Sequence, residues 1–258
     1  MRVSIRPIII GSVQKHSPKK QHYHFLIVHG WSLDSTMKGR WQPLIKLLQA
    51  AGHQVEYLDL PGFDKPLDVS WDLNAYARWL NQKIAQTKNC FVIGHSFGGQ
   101  IACRAAATHP KNLLGVVLIG PAGIIDRSWT KQLKRGMFKT MAKVGQLLPF
   151  HQSKKVLKNL LYKVAREQDY HQAPAVLKKT MSNVLQDEVI QDLPNIEVPV
   201  LILWGEADSF TPVKHASIFQ QGIKHSQLIK IPQEGHRPYF TQPQLVVTHI
   251  NQFLTDVA

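Results

Sequence analysis

The sequence predicts an α/β fold: a mostly parallel central sheet flanked by helices, with an inserted helical cap. Three observations predict it. Short apolar runs alternate with helix-like segments through the first half of the chain. From about Ile124 to Asp192 the alternation stops and only helical spacing remains. After Pro194 it resumes. The expected division is a core of residues 1–123 and 193–258 and a cap of residues 124–192.

Each element has its own signal. Tyr23 to Val28 is an apolar run that stops at His29-Gly30, as a buried parallel strand reads. Trp41 to Ala50 carries Trp41, Leu44, Ile45 and Leu48 at helical spacing and ends before Gly52. Gln54 to Leu58 is a second strand, stopped by Pro61-Gly62. Leu73 to Ile84 is a helix with Tyr76, Ala77, Leu80 and Ile84 on one face and Asp72 as its N-cap. Cys90 to Ile93, a helix over Phe97–Thr108 and a strand over Leu113–Ile119 complete the first half. The cap carries one stripe through Leu133, Met137, Met141, Val144 and Leu148, and another from Val156 to Val164. Beyond it come strands at Val200–Trp204 and Gln227–Ile231, a helix from about Val213, and a last helix over Gln244–Leu254.

A chain of 258 residues suits one globular domain with an insertion. Its two cysteines, Cys90 and Cys103, form neither a CxxC pair nor a metal-ligand spacing, which favours a reducing compartment. The apolar run Ile8–Ile10 is too short for a signal-peptide core, and no stretch reaches the roughly 20 apolar residues of a spanning helix. The expectation is a soluble, cytoplasmic protein. The formal charge of +14 is concentrated: between Arg127 and Leu185 there are 13 basic and 2 acidic residues.

Gly94-His95-Ser96-Phe97-Gly98 follows an apolar strand and opens a helix. That is the context in which G-x-S-x-G holds a nucleophilic serine on a sharp turn, with small residues on either side. The turn also sets Ser96 near helix amides, which favour developing negative charge. A serine hydroxyl needs a base at neutral pH. Among 13 histidines, His236 is placed for it, in the loop between the last strand and the last helix. The base needs an orienting carboxylate. Asp208, just past the Val200–Trp204 strand, is the candidate, with Glu206 and Asp126 as rivals. For the oxyanion, the backbone amides of Phe97 and of Trp31 are the expected donors.

Together His29-Gly30, Asp59 to Phe63, Gly94 to Gly99, Trp204 to Asp208 and Gly235-His236 resemble the α/β-hydrolase superfamily over nearly the whole chain. The resemblance implies a mostly parallel eight-stranded sheet, no cofactor, and attack by serine on an acyl carbon beneath a helical cap. Superfamily members that attack with aspartate, such as haloalkane dehalogenases and epoxide hydrolases, are disfavoured by Ser96. No substrate subfamily is assigned.

The expected activity is therefore hydrolysis of a carboxylic ester through an acyl-enzyme. Cleavage of an amide, thioester, lactone or carbon–carbon bond on the same triad is an alternative, as is a slow or non-catalytic small-molecule-binding protein. Met137, Phe138, Met141 and Phe150 of the cap are candidates to line an apolar acyl site. The Leu133–Leu148 stripe is interleaved with Lys131, Lys134, Arg135, Lys139 and Lys143. Three readings of that charge compete: a solvated cap face, contact with an anionic membrane surface, and attraction of anionic substrates. Specific nucleic-acid binding is not expected, because no recognition motif accompanies the charge.

Overall fold

A computed structural model of the chain describes residues 21–34, 36–63, 65–125 and 173–257. Six strands form one sheet: β1 (His24–Val28), β2 (Gln54–Leu58), β3 (Cys90–His95), β4 (Leu113–Ile119), β5 (Val200–Gly205) and β6 (Ser226–Ile231). Their spatial order is β2-β1-β3-β4-β5-β6, and every pairing is parallel. Among the described residues the sheet thus has six strands where the resemblance implies eight. One row of register partners, Leu58–Val28–Gly94–Leu118–Ile202–Leu228, runs across all six. With the strands parallel and in step, the loops leaving their carboxyl ends gather along a single edge. That edge is where open α/β sheets bind ligands.

Helices cover both faces. Alternate strand residues point opposite ways, so Leu26, Val28, Val92, Leu118, Ile202 and Trp204 enter one core and Phe25, Ile27, Phe91, Ile93, Leu201 and Leu203 the other. The first core is closed by α2 (Leu73–Ala85), α3 (Phe97–Ala106) and α5 (Ala216–Gly222); the second by α1 (Met37–Ala50) and α7 (Pro243–Val257). Asp72 caps α2 as expected, its Oδ1 accepting from the Ala75 amide at 2.7 Å. α7 buries Val246, Val247, Ile250, Phe253 and Leu254, a stripe of helical period.

Two elements differ from the sequence reading. α1 starts at Met37, a turn before the expected Trp41, and carries Pro43 inside it. A short helix, α6 (Pro238–Thr241), precedes α7 and lacks any periodic signature. Within the stretch assigned to the cap, α4 (Ala175–Leu185) is described. It buries Leu177, Thr180, Met181 and Val184. It is tied to the loop before α2: the Thr180 hydroxyl accepts from the Trp71 amide at 3.0 Å, and Asn183 donates to the Trp71 carbonyl at 3.2 Å. Among the described residues, no helix is long and apolar enough to cross a membrane.

Candidate active site

The carboxyl end of β3 turns sharply at Ser96, whose φ of 52° and ψ of −116° lie outside the regions that side chains favour. The turn is held by its own backbone. The Ser96 amide donates to the Ile119 carbonyl at 3.1 Å, and the Ser96 carbonyl accepts from Gly99, Gln100 and Ala122. The flanking glycine is a steric requirement. A Cβ on Gly98 would collide with the carbonyl of Val28 at the end of β1. α3 begins at Phe97, so the Phe97 amide is one of the first-turn donors with no acceptor inside the helix.

The loop after β1 reaches the same place. A Cβ on Gly30 would lie 3.0 Å from the Ser96 Cβ and 2.9 Å from His95 Nδ1. Trp31, next in the chain, packs its indole against Phe63 at 4.8 Å and Phe97 at 5.6 Å. Its buried indole nitrogen has no hydrogen-bond partner among the described residues.

His236 and Asp208 are in direct contact. His236 Nδ1 lies 2.7 Å from Asp208 Oδ2. The Asp208 side chain is fully buried and that of His236 is 8% exposed. The carboxylate also accepts from the Phe210 amide at 2.8 Å, the Thr211 amide at 3.0 Å and the Thr211 hydroxyl at 2.8 Å. Burial alone raises a carboxyl pKa. Here the hydrogen bonds from His236 and Thr211 and the histidine's charge outweigh it, and Asp208 is held below its ordinary value. Phe210 stacks on the His236 ring with centroids 4.9 Å apart. The loops carrying the pair are joined through backbone. The Glu206 amide donates to the Ile231 carbonyl at 3.0 Å and the Ala207 amide to that of Glu234 at 2.8 Å. The residue after β4 meets the pair too, since a Cβ on Gly120 would stand 3.0 Å from Asp208 Oδ2 and 3.4 Å from His236 Nδ1.

Of the two rival acids, Glu206 is exposed, and Asp126 lies outside the described residues. Met137, Phe138, Met141 and Phe150 also lie outside them, as do the lysines and arginine of the Leu133–Leu148 stripe. Among the described residues, no group of three or more His, Cys, Asp or Glu side chains is placed to hold a metal ion. Sequence reasoning missed Thr211, Phe210 and His95. For the turn that holds Phe210 and Thr211 a signal existed: an Asp in a loop commonly accepts from the backbone amides that follow it, as Asp208 does from those of Phe210 and Thr211.

A family profile described as "alpha/beta hydrolase fold" matches residues 23–243. The chain belongs to the α/β hydrolase family. Among curated relatives of this α/β hydrolase is a pimeloyl-[acyl-carrier protein] methyl ester esterase of Shewanella woodyi. It is 27% identical over 253 residues, which cover 91% of this chain and 92% of that protein. A second esterase of the same name, from Aliivibrio salmonicida, is 23% identical and spans 89% of this chain and 91% of its own. Among solved structures, a membrane phospholipase A described as a bacterial virulence factor superposes with a TM-score of 0.67 at 25% identity, covering 92% of this chain and 79% of that one.

Proposed function

We propose that this α/β hydrolase is a serine esterase in which Ser96 is the nucleophile, His236 the general base and Asp208 its orienting acid. The observation that carries the reading is the 2.7 Å contact between His236 Nδ1 and Asp208 Oδ2, on the sheet edge where the Ser96 turn stands. A carboxylate only accepts, so the His236 proton sits on Nδ1 and Nε2 keeps a lone pair for the serine proton. Ser96 Oγ attacks the ester carbonyl as His236 takes its hydrogen. The tetrahedral oxyanion is met by the Phe97 and Trp31 amides, and the proton then passes to the departing alcohol. Water, deprotonated by His236, cleaves the acyl-enzyme and restores Ser96.

The relatives named methyl ester esterases support the ester as the bond and make methyl esters of carboxylic acids the first substrates to try. Residues 124–192 are taken as the cap over this edge. In support, α4 lies against the loop before α2, where a Cβ on Gly62 would be 3.0 Å from Leu177. Two buried free thiols, Cys90 and Cys103, fit a reducing compartment such as the cytoplasm.

A fluorophosphonate probe tests the nucleophile. Labelling of the wild type and none of Ser96→Ala is the expected result; labelling of neither returns the chain to the binding-protein reading. A panel of p-nitrophenyl esters of increasing acyl length then reads the substrate class. Co-sedimentation with anionic vesicles across a salt series tests the basic stretch as a membrane contact, and no binding at low salt excludes it.

A further inference from the structure

His95 precedes the nucleophile and has no part in the chemistry proposed above, yet its imidazole meets both the His236 loop and the Gly30 loop. Nε2 lies 2.9 Å from the backbone carbonyl oxygen of His236. The two histidine rings are 4.6 Å apart. On its other side, Nδ1 faces the α-carbon of Gly30. The ring is packed edge-on against Tyr239 at 4.8 Å and Trp41 at 6.1 Å, and those two stack on each other at 3.7 Å.

The chemistry of these contacts fixes the tautomer. A carbonyl oxygen can only accept, so Nε2 carries the proton. Nδ1 is buried with no hydrogen-bond partner among the described residues, because what it meets at Gly30 is carbon. Nδ1 is therefore a bare lone pair. A second proton there would be a buried donor without an acceptor. Burial foremost, and the neighbouring His236, hold the imidazole well below its ordinary pKa. The neutral Nε2–H ring is a rigid donor of fixed direction.

We infer that His95 is a positioning residue: a neutral strut, bonded to the main chain of His236 and wedged against Gly30, that sets the base loop and the oxyanion loop relative to Ser96. The inference rests on the serine-esterase reading. His95 is covalently joined to Ser96, so one hydrogen bond ties the nucleophile's own backbone to that of the base. Without it, the 236 loop is held through the neighbouring strands and the Asp208 contact, and the imidazole loses a fixed distance to the hydroxyl.

The experiment uses the full chain with His95→Phe, which keeps an aromatic ring against Trp41 and Tyr239 but removes the donor, and His95→Gln, which returns an N–H close to the Nε2 position. On p-nitrophenyl acetate, His95→Phe is expected to lower kcat by about ten- to a hundredfold, with KM moving less than about twofold. His95→Gln is expected to recover most of the loss. Nitrogen-15 NMR of labelled histidines is read beside it. The wild type should show His95 protonated at Nε2 and bare at Nδ1. The His236 Nδ1–H signal should shift in His95→Phe and stay in place in His95→Gln. Wild-type kcat in a folded His95→Phe overturns the inference. So does a proton on His95 Nδ1 in the wild type, or an equal fall in kcat and unfolding midpoint for both variants. Full turnover by Ser96→Ala would instead refute the nucleophile, while the His236 signal still decides whether His95 holds that loop.

Discussion

Thr211 and Asp208 are joined twice: the threonine amide donates to Oδ1 at 3.0 Å and the hydroxyl to Oδ2 at 2.8 Å. The second bond falls on the oxygen that faces His236 Nδ1. The hydroxyl also lies 3.1 Å from the Gly120 carbonyl, but its single hydrogen goes to the nearer carboxylate oxygen. Thr211 is thus placed to hold the carboxylate charged and aimed.

Replacing that hydroxyl tests the link. Asp208 is held below its ordinary value, so in acid the unfolded chain binds the proton more readily than the native one. The stabilisation is complete above the unfolded pKa, about 3.9, and is lost as pH falls through the lower folded value. Thr211→Val should cost about 1 kcal/mol at neutral pH. The gap between variant and wild type should narrow near pH 3, as read by urea unfolding at both pH values.

Asp208→Asn probes orientation rather than charge alone. An amide can donate to Nδ1 and so favour the wrong imidazole tautomer. Turnover of a p-nitrophenyl ester should fall by roughly 10³- to 10⁴-fold, with KM little changed. Steady-state kinetics read both; a fall of less than about tenfold would speak against Asp208 as the orienting acid.

His95 makes a separate pH prediction. The native imidazole is held neutral by burial, by His236 and Arg237, and by His29, whereas in the unfolded chain it titrates near 6.5. Below that value the unfolded state takes up the proton and the native state does not. Stability from this site therefore falls with falling pH, by up to about 1.4 kcal/mol per unit until the native value is reached. Chemical unfolding between pH 7 and 5 should show a shallower decline in His95→Phe than in the wild type.

Two glycines should answer alanine with opposite signs. A Cβ on Gly98 meets the Val28 carbonyl, whereas one on Gly39, in the first turn of α1, meets nothing within 4 Å. Gly98→Ala should cost about 3 kcal/mol or more. Gly39→Ala should add about 0.5–1 kcal/mol. Thermal unfolding of both variants beside the wild type gives the comparison.

Much of this was legible beforehand. Buried parallel strands advertise themselves as unbroken apolar runs, and β2 and β4 fall at the expected residues. Asp72 was readable as a cap because capping is local, within three residues. Gly94, Ser96 and Gly98 were readable because the turn's geometry forces small neighbours. The contact of His95 with the His236 main chain was not, since that partner lies 141 residues away and a backbone carbonyl leaves no mark in a sequence. Phe210 looked like any loop aromatic until the fold laid it on His236. The start of α1 was missed because the turn before Trp41 buries only Met37 and so shows no period.

The dihedral angles at Ser96 belong to the main chain and would persist whatever atom stood beyond the α-carbon. A residue kept in such a conformation costs about 1–3 kcal/mol, and glycine alone would bear it freely. Ser96→Gly should therefore melt at a higher temperature than the wild type while splitting no ester. A laboratory selection that rewards heat tolerance and ignores turnover would drive this position toward an inert but sturdier protein.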